Sequence, residues 1–167
     1  YKISEVGAMS KAGGGTSGFF GAIRPRGAKI SSGGESTGVH HQLTVFESLT
    51  DYISQGNVRR GSFAAYLPID HKDIEEFLNI KNQGDTIQNL SIGVCVTDEW
   101  LKLVKEGDKE KRRIWGLVIK KRFETGYPYI FLPITLISKH LKYIKIKYNL
   151  YVLVYHIELM RMVGKLC

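Results

Sequence analysis

The stretch SFAAYLPIDHKDIEEFLNI, Ser62–Ile80, decides the fold class. Its first half, Ser62–Leu67, is a short apolar run bounded by turn residues, the pattern of a strand buried on both faces. Its second half changes period. Ile74, Phe77 and Leu78 fall on one face of a helix that Asp70 can cap and that runs to Ile80. Asp73, Glu75 and Glu76 lie near the positive end of that helix, so they read as capping and dipole complementarity rather than an acid/base pair. A buried strand followed at once by an amphipathic helix is half of a βαβ unit.

The same alternation extends in both directions. Upstream, Leu43, Phe46, Leu49 and Ile53 recur at helical spacing and predict a helix over His41–Ser54, stopped by Gln55-Gly56-Asn57. Downstream, Leu90–Val96 reads as a second buried strand, and Thr97 caps a short helix after it. Lys109–Thr125 is a further helix, with Ile114, Trp115, Val118 and Ile119 inward. Gly126 and Pro128 end it before an aromatic strand, Tyr127–Phe131. The series predicts an α/β fold. Residues 7–38 carry ten glycines and little periodic signal.

Composition bounds the rest. A chain of 167 residues, 43% hydrophobic and 24% charged, is the size and make-up of one globular domain, neither disordered nor fibrous. No uncharged apolar run reaches the 18 or so residues a membrane span needs. Cys95 and Cys167 form neither a disulfide framework nor a zinc pattern, which favours a reducing, cytoplasmic setting. The five histidines lack ligand spacing, so no metal is expected. Cys95, inside SIGVCV, reads as a structural thiol. The first residue is Tyr, and a fragment is the favoured reading.

The charge is uneven. Residues 1–131 hold 18 Lys and Arg against 15 Asp and Glu, whereas residues 132–167 hold six against one. The excess therefore lies in a tail rich in Leu, Ile, Tyr and Lys, and the domain as a whole is not read as a nucleic-acid binder.

Gly13-Gly14-Gly15-Thr16-Ser17-Gly18 matches G-x-G-x-x-G but lacks a predicted strand before it and a long helix after it, so a dinucleotide fold is rejected. Two wider readings stay open: a glycine cradle for phosphate, or a merely structural loop. Arg24, Arg26, Arg59 and Arg60 sit in or beside glycine loops, where guanidinium forks suit phosphate and carboxylate, although a solvated surface side chain is the default reading of any single one. The block Ser54–Gly61 packs amide, hydroxyl and guanidinium donors between a helix and a strand, the position of a ligand loop.

Taken in order, KAGGGTSGFFGAIRPRG (Lys11–Gly27), GGESTG (Gly33–Gly38), ISQGNVRRGSFAAYLPIDHKDIEEFLNIK (Ile53–Lys81), QNLSIGVCVTDEW (Gln88–Trp100) and FETGYPYIF (Phe123–Phe131) resemble the ribonucleotide reductase large, catalytic subunit, in a phage-like version. The resemblance covers residues 1–131 almost continuously. It implies a segment of a ten-stranded α/β barrel, with substrate phosphate met near Ala12 and Gly13 and effector phosphates met by Arg24. Ser31 and Ser32 stand where a second effector arginine is expected. Ser54, Gln55, Gly56, Asn57 and Arg59 would lie in the specificity loop, with Gln55 and Arg59 reading the substrate base.

The partners implied are a ribonucleoside diphosphate substrate, a dNTP or ATP effector, a small subunit carrying the radical cofactor, and a second large subunit. No cofactor is expected in this chain, and no membrane or nucleic-acid partner. Neither Cys95 nor Cys167 matches a catalytic position of the family. The reducing pair and the radical cysteine would lie outside Tyr1–Cys167, so turnover by this piece alone is not expected. A non-catalytic module binding nucleotide or subunit is the alternative.

Residues 132–167 fit a shifted reading frame. Loss of one T from TTT TTT ACC GAT AAC GTT AAT converts a family-like Phe-Phe-Thr-Asp-Asn-Val-Asn into Phe131-Leu132-Pro133-Ile134-Thr135-Leu136. A genuine basic extension, able to bind nucleic acid through Lys139–Tyr155, is the other reading.

Overall fold

A computed structural model describes residues 2–53 and 61–132. The elements run α1 (Lys2–Lys11), β1 (Gly15–Phe19), α2 (Gly38–Ile53), β2 (Ser62–Pro68), α3 (Ile74–Asn79), β3 (Ser91–Cys95), α4 (Asp98–Glu106), α5 (Lys109–Thr125) and β4 (Tyr129–Phe131). The strands form one sheet in the order β1-β2-β3-β4. All three pairings are parallel, with Gly15 opposite Ser62, Ala64 opposite Ser91 and Gly93 opposite Tyr129. Parallel neighbours need crossovers, and α2, α3 and the α4–α5 pair supply them.

β2 is buried from Phe63 to Leu67 and β3 from Ile92 to Val94, which explains their unbroken apolar sequences. Under β2, Phe46 of α2 stacks on Phe63 with ring centres 4.7 Å apart. Phe20 meets both rings edge-on, at 5.6 and 6.2 Å. Leu43, Leu67, Phe77, Leu78, Ile87, Leu90 and Ile92 complete a continuous core.

Several predicted boundaries hold closely. Thr97 accepts the Trp100 amide at 3.3 Å and starts α4. α5 covers Lys109–Thr125 and ends on Gly126 at φ 77°. Of its four predicted inward residues, Val118 is fully buried, Ile114 and Trp115 are partly buried against the core, and Ile119 is half-exposed. The last strand is shorter than predicted, beginning at Tyr129 after the Tyr127-Pro128 step.

Two expectations are corrected. Asp70 does not cap α3. Ile69 still donates to the Cys95 carbonyl as a continuation of β2, and His71 closes a turn on Pro68, so Asp70 lies in that turn and the helix begins at Ile74. The glycine-rich region also holds more structure than its periodicity suggested. α1 buries only Val6 and Ser10, too narrow an apolar face to read, and β1 is GTSGF, poor in strand-forming residues and organised by pairing with β2. The G-x-G-x-x-G run therefore follows a helix and feeds a strand, the reverse of a dinucleotide-binding turn. The predicted specificity-loop residues Ser54, Gln55, Gly56, Asn57 and Arg59 lie outside the described residues, as does the tail beyond Leu132.

Candidate functional site

The glycine turn at Ala12–Gly14 is built by the end of α1. Gly13 takes φ 74°, its amide donates to the Ser10 carbonyl at 2.9 Å, and the Gly14 amide donates to Met9 at 2.9 Å. This pair of bonds is a Schellman cap, and it needs glycine at the left-handed position. The Ala12 amide is also used, on Ala8 at 3.2 Å. The turn is thus pre-shaped, with three successive amides committed to the helix end.

Gly61, where the chain re-enters the described structure, rests directly on this element. A Cβ placed on it would lie 2.5 Å from the Ser10 Cβ and 2.7 Å from the Ser10 Cα. The turn and the exit of the Ser54–Gly61 loop are therefore neighbours, at the N-terminal ends of β1 and β2. The Ser10 hydroxyl in this corner, and the Ser17 hydroxyl midway along β1, are buried without a partner among the described residues.

Arg24 lies at the other end of β1, roughly 13 Å along a five-residue strand. It belongs to the turn that follows Phe19, and that turn is held by its backbone. His71 Nε2 meets the Ile23 carbonyl at 2.9 Å, while the Asp73 amide donates to His71 Nδ1 at 3.1 Å. With Nδ1 accepting from Asp73, Nε2 is the ring nitrogen left to donate to Ile23. Ser36 Oγ donates to the Arg24 carbonyl at 2.8 Å. The Asp73 carboxylate accepts the Arg26 amide at 3.0 Å and the Val39 amide, in the first turn of α2, also at 3.0 Å. Asp73 was expected to serve its own helix; its carboxylate instead caps α2 and pins the Arg24 turn. Gly38 is required where these parts meet, with φ 81° and the Asp73 carboxylate 2.9 Å from any added Cβ.

The two arginines of AIRPRG differ in what remains free. Arg26 Nε donates to Glu76 at 3.1 Å, and this bond raises the guanidinium pKa. The Arg24 side chain is exposed and, among the described residues, makes no hydrogen bond or ion pair. Glu75 is likewise spoken for, by Arg113, so the acidic residues of α3 act as ion-pair partners and not as a reactive pair.

Cys95 sits at the end of β3, where burial pushes its thiol up to about 12. A thiol in that state is a poor nucleophile near neutral pH. In a Cys167→Ser background, Cys95 is expected to react with an aromatic disulfide reagent at pH 8 at least ~100-fold more slowly in the native than in the urea-unfolded chain. Because the folded pKa is raised, its contribution to stability is present below about 9 and is lost as pH rises toward 12. Cys95→Ala should accordingly flatten the alkaline loss of stability.

Sequence reasoning missed Glu47. Its carboxylate, 8% exposed, accepts the backbone amides of Gln88 at 3.0 Å, Asn89 at 2.8 Å and Leu90 at 3.1 Å, and the Asn89 side chain at 2.9 Å. The signal was present: Glu47 falls four residues after Leu43 and one after Phe46, on the inward stripe of α2. No three His, Cys, Asp or Glu side chains converge on a possible metal position among the described residues. No helix among them is long and apolar enough to cross a membrane.

The family described as "Ribonucleotide reductase, barrel domain" matches residues 1–111. A putative ribonucleoside-diphosphate reductase large subunit of Frog virus 3 is 34% identical over 146 residues, covering 76% of this chain and 25% of that protein. A vitamin B12-dependent ribonucleoside-diphosphate reductase of Mycobacterium tuberculosis is 31% identical over 105 residues, covering 62% of this chain and 15% of the relative. Among solved structures, the Actinobacillus ureae class Id ribonucleotide reductase alpha subunit superposes with a TM-score of 0.73 at 42% identity, over 82% of this chain and 25% of that one. The chain spans a quarter or less of the length of these three relatives. A parallel α/β sheet with these motifs in this order, matched across two thirds of its length, belongs to the ribonucleotide reductase large-subunit family and forms a segment of its barrel domain.

Proposed function

We propose that this chain is the nucleotide-recognition part of a ribonucleoside-diphosphate reductase catalytic subunit, the oxidoreductase that converts ribonucleotides to deoxyribonucleotides for DNA synthesis. Arg24 contacts the phosphates of a nucleoside triphosphate effector, the Ala12–Gly13 turn meets the substrate diphosphate, and the loop containing Ser54, Gln55, Gly56, Asn57 and Arg59 couples the two. The observation that carries the reading is the unequal state of the two arginines. Arg26 is bound to Glu76, whereas Arg24 has no side-chain partner among the described residues and sits on a turn whose backbone is held by three side chains, His71, Ser36 and Asp73. An unpaired guanidinium on a fixed backbone recognises phosphate with little ordering entropy left to lose.

α2 supports the coupling role. It begins at the Asp73 cap beside Arg26 and leads into the specificity loop, about 24 Å away along a 16-residue helix. Allostery in this scheme is differential binding: an effector favours one loop conformation, and that conformation favours one base. The catalytic partners are a small subunit and a second large subunit. The radical cofactor is assigned to the small subunit, although relatives of this segment include a vitamin B12-dependent enzyme, so the segment is compatible with either radical source.

The test is ligand stabilisation. Saturating dTTP or dATP, at about 100 times Kd, should stabilise the chain by about 2.7 kcal/mol. Arg24→Ala should remove most of that gain and Arg26→Ala much less. Equal stabilisation of wild type and Arg24→Ala would sink the reading.

A further inference from the structure

We propose that His71, Asp73 and Ser36 are positioning residues for nucleotide recognition, acting through the backbone that presents Arg24. This rests on the reading of Arg24 as the phosphate contact.

The three side chains come from two distant parts of the sequence, Ser36 and the His71–Asp73 pair, and converge on Ile23, Arg24 and Arg26 of one turn. His71 holds the Ile23 carbonyl at 2.9 Å, Ser36 holds the Arg24 carbonyl at 2.8 Å, and Asp73 holds the Arg26 amide with both oxygens at 3.0 and 3.2 Å. None of them bonds the Arg24 side chain. Their joint effect is to fix the backbone on both sides of Arg24 while its guanidinium stays available. The relay within the set sets its chemistry. The Asp73 amide donates to His71 Nδ1, which leaves Nε2 as the nitrogen that donates to Ile23. The same Asp73 carboxylate caps α2 through Val39, so the turn and the start of that helix share one anchor. A turn anchored in this way presents its arginine in one place; released, the arginine must be ordered by the ligand at the ligand's cost.

The experiment uses the whole 167-residue chain and titration calorimetry, with dTTP as the probe and inorganic triphosphate as a phosphate-only control. Arg24→Ala and His71→Asn should each weaken dTTP about tenfold, the loss of one good charge-assisted contact. Asn can still accept the Asp73 amide but cannot reach Ile23, so it cuts the anchor and keeps the local turn. The double variant should be no weaker than either single one, because an unanchored Arg24 has already lost its contribution. His71→Gln, whose amide nitrogen can take the place of Nε2, should bind within about threefold of wild type. Inorganic triphosphate should follow the same order.

Wild-type affinity in His71→Asn, or losses that multiply in the double variant, would overturn the positioning role and leave the Arg24 reading standing. Undiminished dTTP binding by Arg24→Ala would instead overturn that reading itself. If His71→Asn does not fold, Ser36→Ala on the exposed side of the turn replaces it, with the same test of non-multiplying losses against Arg24→Ala.

Discussion

Replacing Glu47 with alanine should lower folding stability by on the order of 4 kcal/mol. The carboxylate is buried and receives three consecutive backbone amides, from Gln88, Asn89 and Leu90, just before β3. Removing it orphans the Leu90 amide in the interior, at roughly 1–3 kcal/mol, and strips the half-buried Gln88 and Asn89 amides of their charged acceptor. The favourable charge–amide interaction disappears as well. Against a total stability of about 5–15 kcal/mol, a loss of this size leaves much of the population unfolded under mild denaturant. Glu47→Gln should be less damaging, because one oxygen can still accept, but its amide nitrogen must face another donor. Urea unfolding followed by circular dichroism gives the ordering wild type, Gln, Ala. A loss below about 1 kcal/mol for Glu47→Ala would mean that the pre-β3 segment is not held by this residue.

Gly61→Ala is the second large effect, and it joins stability to the proposed site. The added methyl would sit 2.7 Å from the Ser10 Cα, so backbone and not merely a flexible side chain must give way. Overpacking of this kind costs about 1–3 kcal/mol. Here the strain falls between the end of α1 and the start of β2, on the element that shapes Ala12 and Gly13. Ser10→Gly in the same chain removes the contacts at 2.5 and 2.6 Å but not the one at 2.7 Å, so it should restore only part of the loss. Gly61→Ala within about 0.5 kcal/mol of wild type would contradict the close packing of these two segments.

The fold was legible wherever burial and local chemistry agreed. Phe63–Leu67 and Ile92–Val94 are apolar without interruption because parallel strands are covered on both faces, and α4 and α5 are announced by Thr97 and Gly126. α1 and β1 were not legible. Their sequences carry almost no apolar period, and they take shape through packing on α2 and pairing with β2. The same limit applies to the site. Arg24 and the Gly13 turn could be picked out by residue type, but the clamp around Arg24 joins residues 47 and 48 positions apart, and no local pattern predicts that Asp73 will cap α2 in preference to α3. Glu47 lay in view as a charged residue on an inward stripe, a conflict between local and global pattern of the kind that marks a buried network.

Hydrogen exchange on the whole chain, with and without dTTP, tests the central claim most directly, because it reports where the nucleotide acts. We expect added protection of the amides from Ile23 to Ala28 and at Val39, together with the Ser54–Gly61 loop, and its disappearance in Arg24→Ala. Protection confined to residues 132–167, or protection of the Arg24 turn that survives Arg24→Ala, would contradict it.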